Sequence, residues 1–489
     1  MGKDISNIDT TGGEGREELL DNIKSLKNLS PSSCESICSS ILNRLTEICH
    51  DKYPLGLRNQ NIFRTNGGLA ALISIIDVSF SPHVLTQVFN LMLVLCKTNV
   101  DNRDCFEPWG NEKLTLLLNS ELYHDFVRVP SQMDMLLSCV RCAIVLSRSE
   151  INKAKQVEFG VSRFMLFVLS INGDFEDHVQ FPVELALEVC KLFKKLCTHD
   201  DIRKEMSCAY ENGRRFLSEG FVPLLMKLSC NFKIETSLSV AALSAVRQIV
   251  VSEEAVKAVA KYGAMDLPSA VYRWNDSPVE LVRSVTGLMR NLCADDDRKH
   301  RLVGDGTLAL LISCMASVSL SADSLFMEHA LACCAAMTLR SPTNSSMLVN
   351  SGAIEHIVAG MRRHADKPAL QRQACLAFRN IAARCPHLHN RLLDAGAEEV
   401  LRIAGRMQES VDEAYGALRD LNVDVQFVRV DDSGMASMAF EQFGRSQPKF
   451  NPVFDETCDL DQRVCDESHA PFTDDNSVFR SDNEKGDTL

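Results

Sequence analysis

The sequence predicts an all-α fold, a right-handed α-solenoid of about eight repeats over residues 34–421. Three observations carry this. Break glycines that separate pairs of short apolar segments recur at Gly68, Gly110, Gly160, Gly220, Gly263, Gly306, Gly352 and Gly396, at intervals of 42, 50, 60, 43, 43, 46 and 44 residues. Each interval has the same internal order: a short apolar helix, a glycine break, a second short helix and a longer third helix. Leu, Ala and Val carry the apolar positions, and aromatic residues are only 6% of the chain. A chain of 489 residues suggests about three domains at roughly 150 residues each. A solenoid escapes that guide, because each unit packs on its neighbours without one central core.

The elements follow in order. Residues 1–33 are rich in Gly, Ser, Asp and Glu and read as a disordered segment. From Cys34 a helical period begins, with Ile37, Ile41, Leu45 and Ile48 on one face. NIFRTNGGLAALISII then gives the first glycine-broken pair, where Gly allows the sharp bend, and a long helix follows Pro82. Asn61, Asp101, Asn152, Asp201, Asp297, Asn344 and Asn390 stand where side-chain oxygens would cap short helices. Pro182, Pro278 and Pro368 suit the first turn of third helices. The two long intervals point to insertions at Tyr123–Pro130 and Tyr210–Leu217. The array ends at VDEAYGALRDL, residues 411–421. Residues 422–430 read as a capping segment with strand-like alternation, and 431–489 as an acidic disordered tail.

Charge and cysteine usage bound the function. The net charge is −13, with −9 in residues 431–489 and −2 in residues 1–33. Overall acidity argues against nucleic-acid binding, which needs clustered Lys and Arg. Nineteen cysteines are spread over a long chain that opens on a polar segment. They read as small buried hydrophobes in a reducing compartment, which fits a cytoplasmic location, with the nucleus as a second; a monomeric chain is a separate expectation. No apolar run approaches the ~20 residues of a membrane span. Met1-Gly2-Lys3-Asp4-Ile5-Ser6 fits the loose pattern for myristoylation at Gly2.

Five of the seven glycine intervals fall in the range of armadillo and HEAT repeats. The units also share a pattern: Asn, an apolar helix, Gly-Ala or Gly-Gly, an apolar helix, then Ala and Leu-x-Asn-Leu. GLMRNLCADDDRKHRLVGDG (287–306), QRQACLAFRNIAARCPHLHNRLLDAGAEEVL (371–401) and ALRDL (417–421) resemble the armadillo repeat-containing protein 6 family, most clearly over residues 277–421. The resemblance implies an α-solenoid without enzymatic activity or cofactor. The importin-α type of armadillo repeat carries Trp four residues before the Asn of the third helix. Here Gly287 precedes Asn291 and Leu376 precedes Asn380 at that distance. A nuclear-import receptor is therefore disfavoured.

Third helices of such repeats line the concave groove. Aligning their ends brings Lys195, Arg247, Arg290, Asn291, Arg379, Asn380 and Arg419 into register, with Arg283 and Arg372 two turns earlier on the same faces. One reading is a basic stripe that attracts an acidic partner segment. The other is that these cations answer helix dipoles. Phe440, Phe443, Phe450, Phe454, Phe472 and Phe479 are spaced among carboxylates in the tail; one reading lets the tail mask such a stripe, and the favoured one is a solvated tail that only aids solubility. Cys139 and Cys142 form a lone C-x-x-C inside an apolar helix, and Asp295–Asp297 lack the Gly and Glu of a calcium loop. No metal, cofactor or catalytic residue is therefore assigned, and no hydrolase, zincin or phosphate-loop motif occurs. The expected function is a non-enzymatic protein-interaction scaffold. The alternatives are a nucleocytoplasmic or intracellular transport adaptor and a structural subunit of a larger assembly.

Overall fold

The computed structural model describes residues 11–52, 55–106, 109–123, 126, 129–173, 183–423, 429–430 and 436–437. Gly2 and the acidic tail beyond 437 lie outside them, so the acylation and masking readings do too. The chain divides into two compact units, Met1–Leu320 and Ser321–Leu489.

The first unit opens with two helices, α1 (Thr11–Lys27) and α2 (Glu35–Cys49). Three-helix repeats follow: α3 (Gly56–Thr65), α4 (Gly68–Ser74) and α5 (Pro82–Cys96); α6 (Val100–Asp104), α7 (Trp109–Leu118) and α8 (Pro130–Leu146). Next come α9 (Glu150–Glu158), α10 (Val161–Gly173) and α11 (Val183–Leu196); α12 (Ala209–Ser218), α13 (Phe221–Cys230) and α14 (Thr236–Ile249); α15 (Glu253–Lys261), α16 (Leu267–Tyr272) and α17 (Val279–Leu292). The sixth repeat begins with α18 (Asp296–Gly304) and α19 (Thr307–Ala316), followed by the short α20 (Val318–Ala322). Within this unit the third helices stack in sequence, α2 on α5, α5 on α8, α8 on α11, α11 on α14 and α14 on α17.

The second unit opens with that repeat's third helix, α21 (Ser324–Thr338). It continues through α22 (Pro342–Asn350), α23 (Ala353–Arg363) and α24 (Pro368–Ala382), and then α25 (His389–Asp394), α26 (Ala397–Ala404) and α27 (Val411–Asp420). Here α21 packs on α24 and α24 on α27. Beyond α27, strands β1 (Arg429–Val430) and β2 (Ala436–Ser437) pair antiparallel, Arg429 opposite Ser437. Residues 424–428 of the expected capping segment lie outside the described residues. The all-α solenoid expected from the sequence is the observed fold, repeated in both units.

Packing explains the composition. Leu, Val and Ala fill the contacts between successive helices, and Phe193, Phe216 and Phe221 form a fully buried triad with ring centroids 5.0 to 5.1 Å apart. The break glycines serve two purposes. Gly352 and five others of the eight glycines have positive φ at the entry to the second helix, 80° at Gly352 and 86° at Gly306, a conformation that costs other residues about 1–2 kcal/mol. Gly110 is different: it lies inside α7, and a Cβ there would meet the Phe106 ring at 2.6 Å. In the first repeat the left-handed residue is Gly67 (φ 74°), and Gly68 instead makes room for Phe63.

Three sequence expectations are corrected. Residues 11–27, expected to be disordered, form α1, which buries Leu19, Ile23 and Leu26 against the first repeat. The fork of Arg44 holds it by Glu18 at 2.5 and 3.0 Å. Tyr210–Leu217 is not an insertion but part of α12; the extra length lies in the 199–208 connection and in residues 174–182, which lie outside the described residues. The expected caps sit too far along. Side-chain caps are made by Asn99, Ser252, Asp295 and Ser341, whereas Asn61, Asp101, Asn152, Asp297, Asn344 and Asn390 lie inside helices and Asp201 lies in the connection before α12. Pro368 takes the first turn of α24, but Pro278 is the cap residue of α17, and Pro182 lies outside the described residues.

Amides inside the first helices have another task. The Asn102 amide donates to Leu95 O at 2.9 Å, Asn212 to Leu196 O at 2.8 Å and Asn344 to Met337 O at 3.0 Å. Each ties the first helix of one repeat to the open carbonyl end of the preceding third helix. Those carbonyls have no partner within their own helix, and the amides satisfy them in the interior.

Candidate functional site

The expected groove residues fall into two sets, one per unit. In the second unit, α24 presents Arg372, Leu376, Arg379 and Asn380 on one face, at spacings of four, three and one. The neighbouring α27 presents Glu413, Gly416, Arg419 and Asp420. Arg372 Nε donates to Glu413 Oε1 at 2.8 Å. Arg419 donates through Nε and Nη2 to Asp420 Oδ1 at 3.0 and 2.8 Å. That commits Asp420, whose other oxygen lies 3.9 Å from Arg379 Nε. Arg379 is 45% exposed and donates no side-chain hydrogen bond among the described residues. The Asn380 amide donates to Ala335 O on α21 at 2.9 Å.

In the first unit the set is more dispersed. Lys195 pairs with Asp200 in the 199–208 connection. Arg247 lies over Gly287: a Cβ on Gly287 would sit 2.7 Å from its Cζ. The Asn291 amide donates to Val250 O at 3.1 Å, and Thr198 Oγ1 to Gln248 Oε1 at 3.3 Å. Arg283 and Arg290 are half-buried on α17. Farther up, Arg141 on α8 bridges to Glu184 at 2.7 Å and Glu188 at 3.4 Å on α11.

The simple basic stripe is therefore modified. Where the sequence reading saw aligned cations, the second unit interleaves Glu413 and Asp420 with Arg372, Arg379 and Arg419. Glu413 follows Arg372 by the same 41 residues that separate Asp420 from Arg379, a signal visible in the sequence once the helices are registered. The Asn side chains point an amide at the preceding repeat's backbone instead of holding it for a ligand. Trp109 and Trp274 sit away from the third helices, and Trp274 packs on Phe232 at 5.5 Å.

A second charged cluster holds the 199–208 connection. Lys153, fully buried, donates from Nζ to Glu150 Oε1 at 2.6 Å and Thr198 O at 2.5 Å, with Asp200 Oδ1 at 3.2 Å. Glu150 Oε2 accepts from Cys208 N at 3.1 Å. Arg203 clamps Asp201 at 2.8 Å and Asp104 at 2.7 Å. Burial alone would raise the Glu150 carboxyl; the Lys153 hydrogen bond and charge overcome it and leave the group below its ordinary range. Asp104 and Asp201 follow the same balance, burial opposed by Arg203. Beside the cluster lies a shallow cavity of about 540 Å³ lined by Ile151, Ala154, Met206 and Cys208 among others. Its charges are bound to one another, so the cluster is a structural lock. Cys139 and Cys142 are fully buried and burial pushes both thiols up. Among the described residues no helix is long and apolar enough to cross a membrane.

Successive third helices stacked in order, with short second helices entered through left-handed glycines, give the chain an armadillo-type α-solenoid fold. Within that class it is similar to the armadillo repeat-containing protein 6 family: the Armadillo repeat-containing protein 6 homolog of Drosophila melanogaster is 28% identical over 172 residues, 34% of this chain and 35% of its own. The match thus spans about a third of that relative's length. An engineered protein solved by crystallography superposes with a TM-score of 0.51 at 17% identity, over 83% of this chain and 99% of its own. A designed armadillo repeat protein gives a TM-score of 0.41 at 19% identity, over 52% and 98%. No family model matches the chain.

Proposed function

We propose that the chain is a non-enzymatic protein-interaction scaffold whose third-helix faces bind an extended or helical acidic segment of a partner protein. The observation that carries the reading is Arg379, an exposed guanidinium whose nearest carboxylate is engaged by Arg419. A partner carboxylate supplies the close ion pair that the fold leaves incomplete. Arg372 lies two turns earlier on the same helix and Arg419 on the neighbouring α27, and Arg247, Arg283 and Arg290 give the first unit a related set. The internal acids tune the face: Glu413 and Asp420 compete with the partner, which favours moderate affinity and exchange over permanent capture.

Titration of the full chain with fluorescein-labelled Glu-rich peptides tests this. Arg379→Glu combined with Arg290→Glu should lower affinity at least about tenfold, because like charges then face each other. Glu413→Gln, which removes the competitor of Arg372, should raise affinity about threefold, the scale of one exposed ion pair. Unchanged affinity in the double arginine variant would sink the reading.

A further inference from the structure

We infer that Arg379 on its Gly416 shelf is an aromatic-accepting subsite: the guanidinium stacks an aromatic side chain that the partner carries next to its acidic residues. This rests on the acidic-segment reading above and specifies it. A Cβ on Gly416 would lie 3.1 Å from Arg379 Nε, 3.2 Å from Cδ and 3.4 Å from Cζ. The side chain of Arg379 therefore lies against the bare backbone of α27, in space that only glycine leaves open. At its edge stands Asp420, 3.9 Å away and forked by Arg419. With backbone beneath it and a spent carboxylate beside it, the guanidinium offers partners the rest of its planar surface, consistent with its 45% exposure. Leu376, half-buried, stands about one turn earlier on the same helix face and is the apolar neighbour in sequence position.

A planar, weakly hydrated cation beside a leucine suits an aromatic ring better than a carboxylate alone. The arrangement inverts the importin-α type of repeat, where the aromatic belongs to the scaffold and the cation to the ligand. Here Gly416 stands four residues before Asp420, as Gly287 stands before Asn291, at the place of that Trp, and Arg379 of the preceding repeat lies against it. The same device recurs in the first unit, where Arg247 lies over Gly287. Two occurrences at matching positions show that the packing of arginine on glycine is a feature of these third helices.

The test uses the full chain and two labelled Glu/Gly peptides that differ only by a central Trp or Ala, measured by fluorescence polarisation. The Trp peptide should bind about two- to fivefold tighter, the scale of one exposed cation–π contact. In Arg379→Lys the charge remains but the plane is lost, so the Ala peptide should bind as before while the Trp preference disappears. Gly416→Val, which displaces the guanidinium, should abolish the preference too. Equal binding of the two peptides, or a preference that survives Arg379→Lys, overturns the inference and leaves the acidic-segment reading standing. Failure of both peptides to bind overturns both.

Discussion

Replacement of Lys153 by Met should unlock the connection between α11 and α12. Lys153 has no exposed surface, and its ammonium makes three contacts, at 2.6, 2.5 and 3.2 Å. Removing it leaves Glu150, 7% exposed, beside an apolar side chain. Breaking a buried pair from one side costs about 3–5 kcal/mol, and the half-exposed position of Asp200 places this case toward the lower end. The sign with pH follows. Wild-type Glu150 titrates below its ordinary range, so its stabilisation is present above the unfolded-state pKa of about 4 and is lost as pH falls through the folded value. In the variant, burial of Glu150 is opposed only by the hydrogen bonds from Cys208 N and Ser207. Its pKa then rises relative to the wild type, and the variant should lose less stability on mild acidification than the wild type does. Urea unfolding at several pH values, with hydrogen exchange resolved over residues 197–218, reads both effects. A loss under about 1 kcal/mol with unchanged exchange would refute the reasoning.

Three further substitutions test backbone and packing. Gly306→Ala should cost about 1–2 kcal/mol for its left-handed backbone alone, since nothing lies within 4 Å of the new methyl. Gly304→Ala, two residues earlier, inside α18 and equally open, should stabilise by up to about 1 kcal/mol, and calorimetry separates the two. Leu19→Ala, at a fully buried site of α1, should cost about 2–4 kcal/mol and raise proteolytic release of the N-terminal segment. A silent Leu19→Ala would return residues 11–27 to the status of a passive leader.

Periodicity made the repeats legible, because each unit must present the same apolar faces to its neighbours. The limits were local. Averaging over residues 1–33 hid Leu19, Ile23 and Leu26, whose spacing of four and three marks one helix face. Asn344 looked like a cap because the sequence shows an amide near a helix start but not the carbonyl seven residues behind it that accepts from it. The aligned arginines were found by register alone. What the register could not show is that Glu413 reaches Arg372, or that Asp420 turns to Arg419 and leaves Arg379 with a long contact. Those outcomes depend on side-chain direction across two helices that are neighbours only in space.

The amide ties between first helices and preceding third helices also decide where this chain tolerates growth. A connection clamped by Asn102 or Asn344 has fixed ends and no slack. Spare residues therefore collect on the other side of the repeat, between second and third helices, as at 119–129 and 317–323. The 199–208 connection breaks that pattern, and it is the one nailed down by Lys153, Arg203 and their carboxylates. A tag or fluorescent domain for studying the protein belongs at 318–319, where the chain is exposed. The same insert at 97–99 or 340–342 would pull apart a hinge between neighbouring repeats.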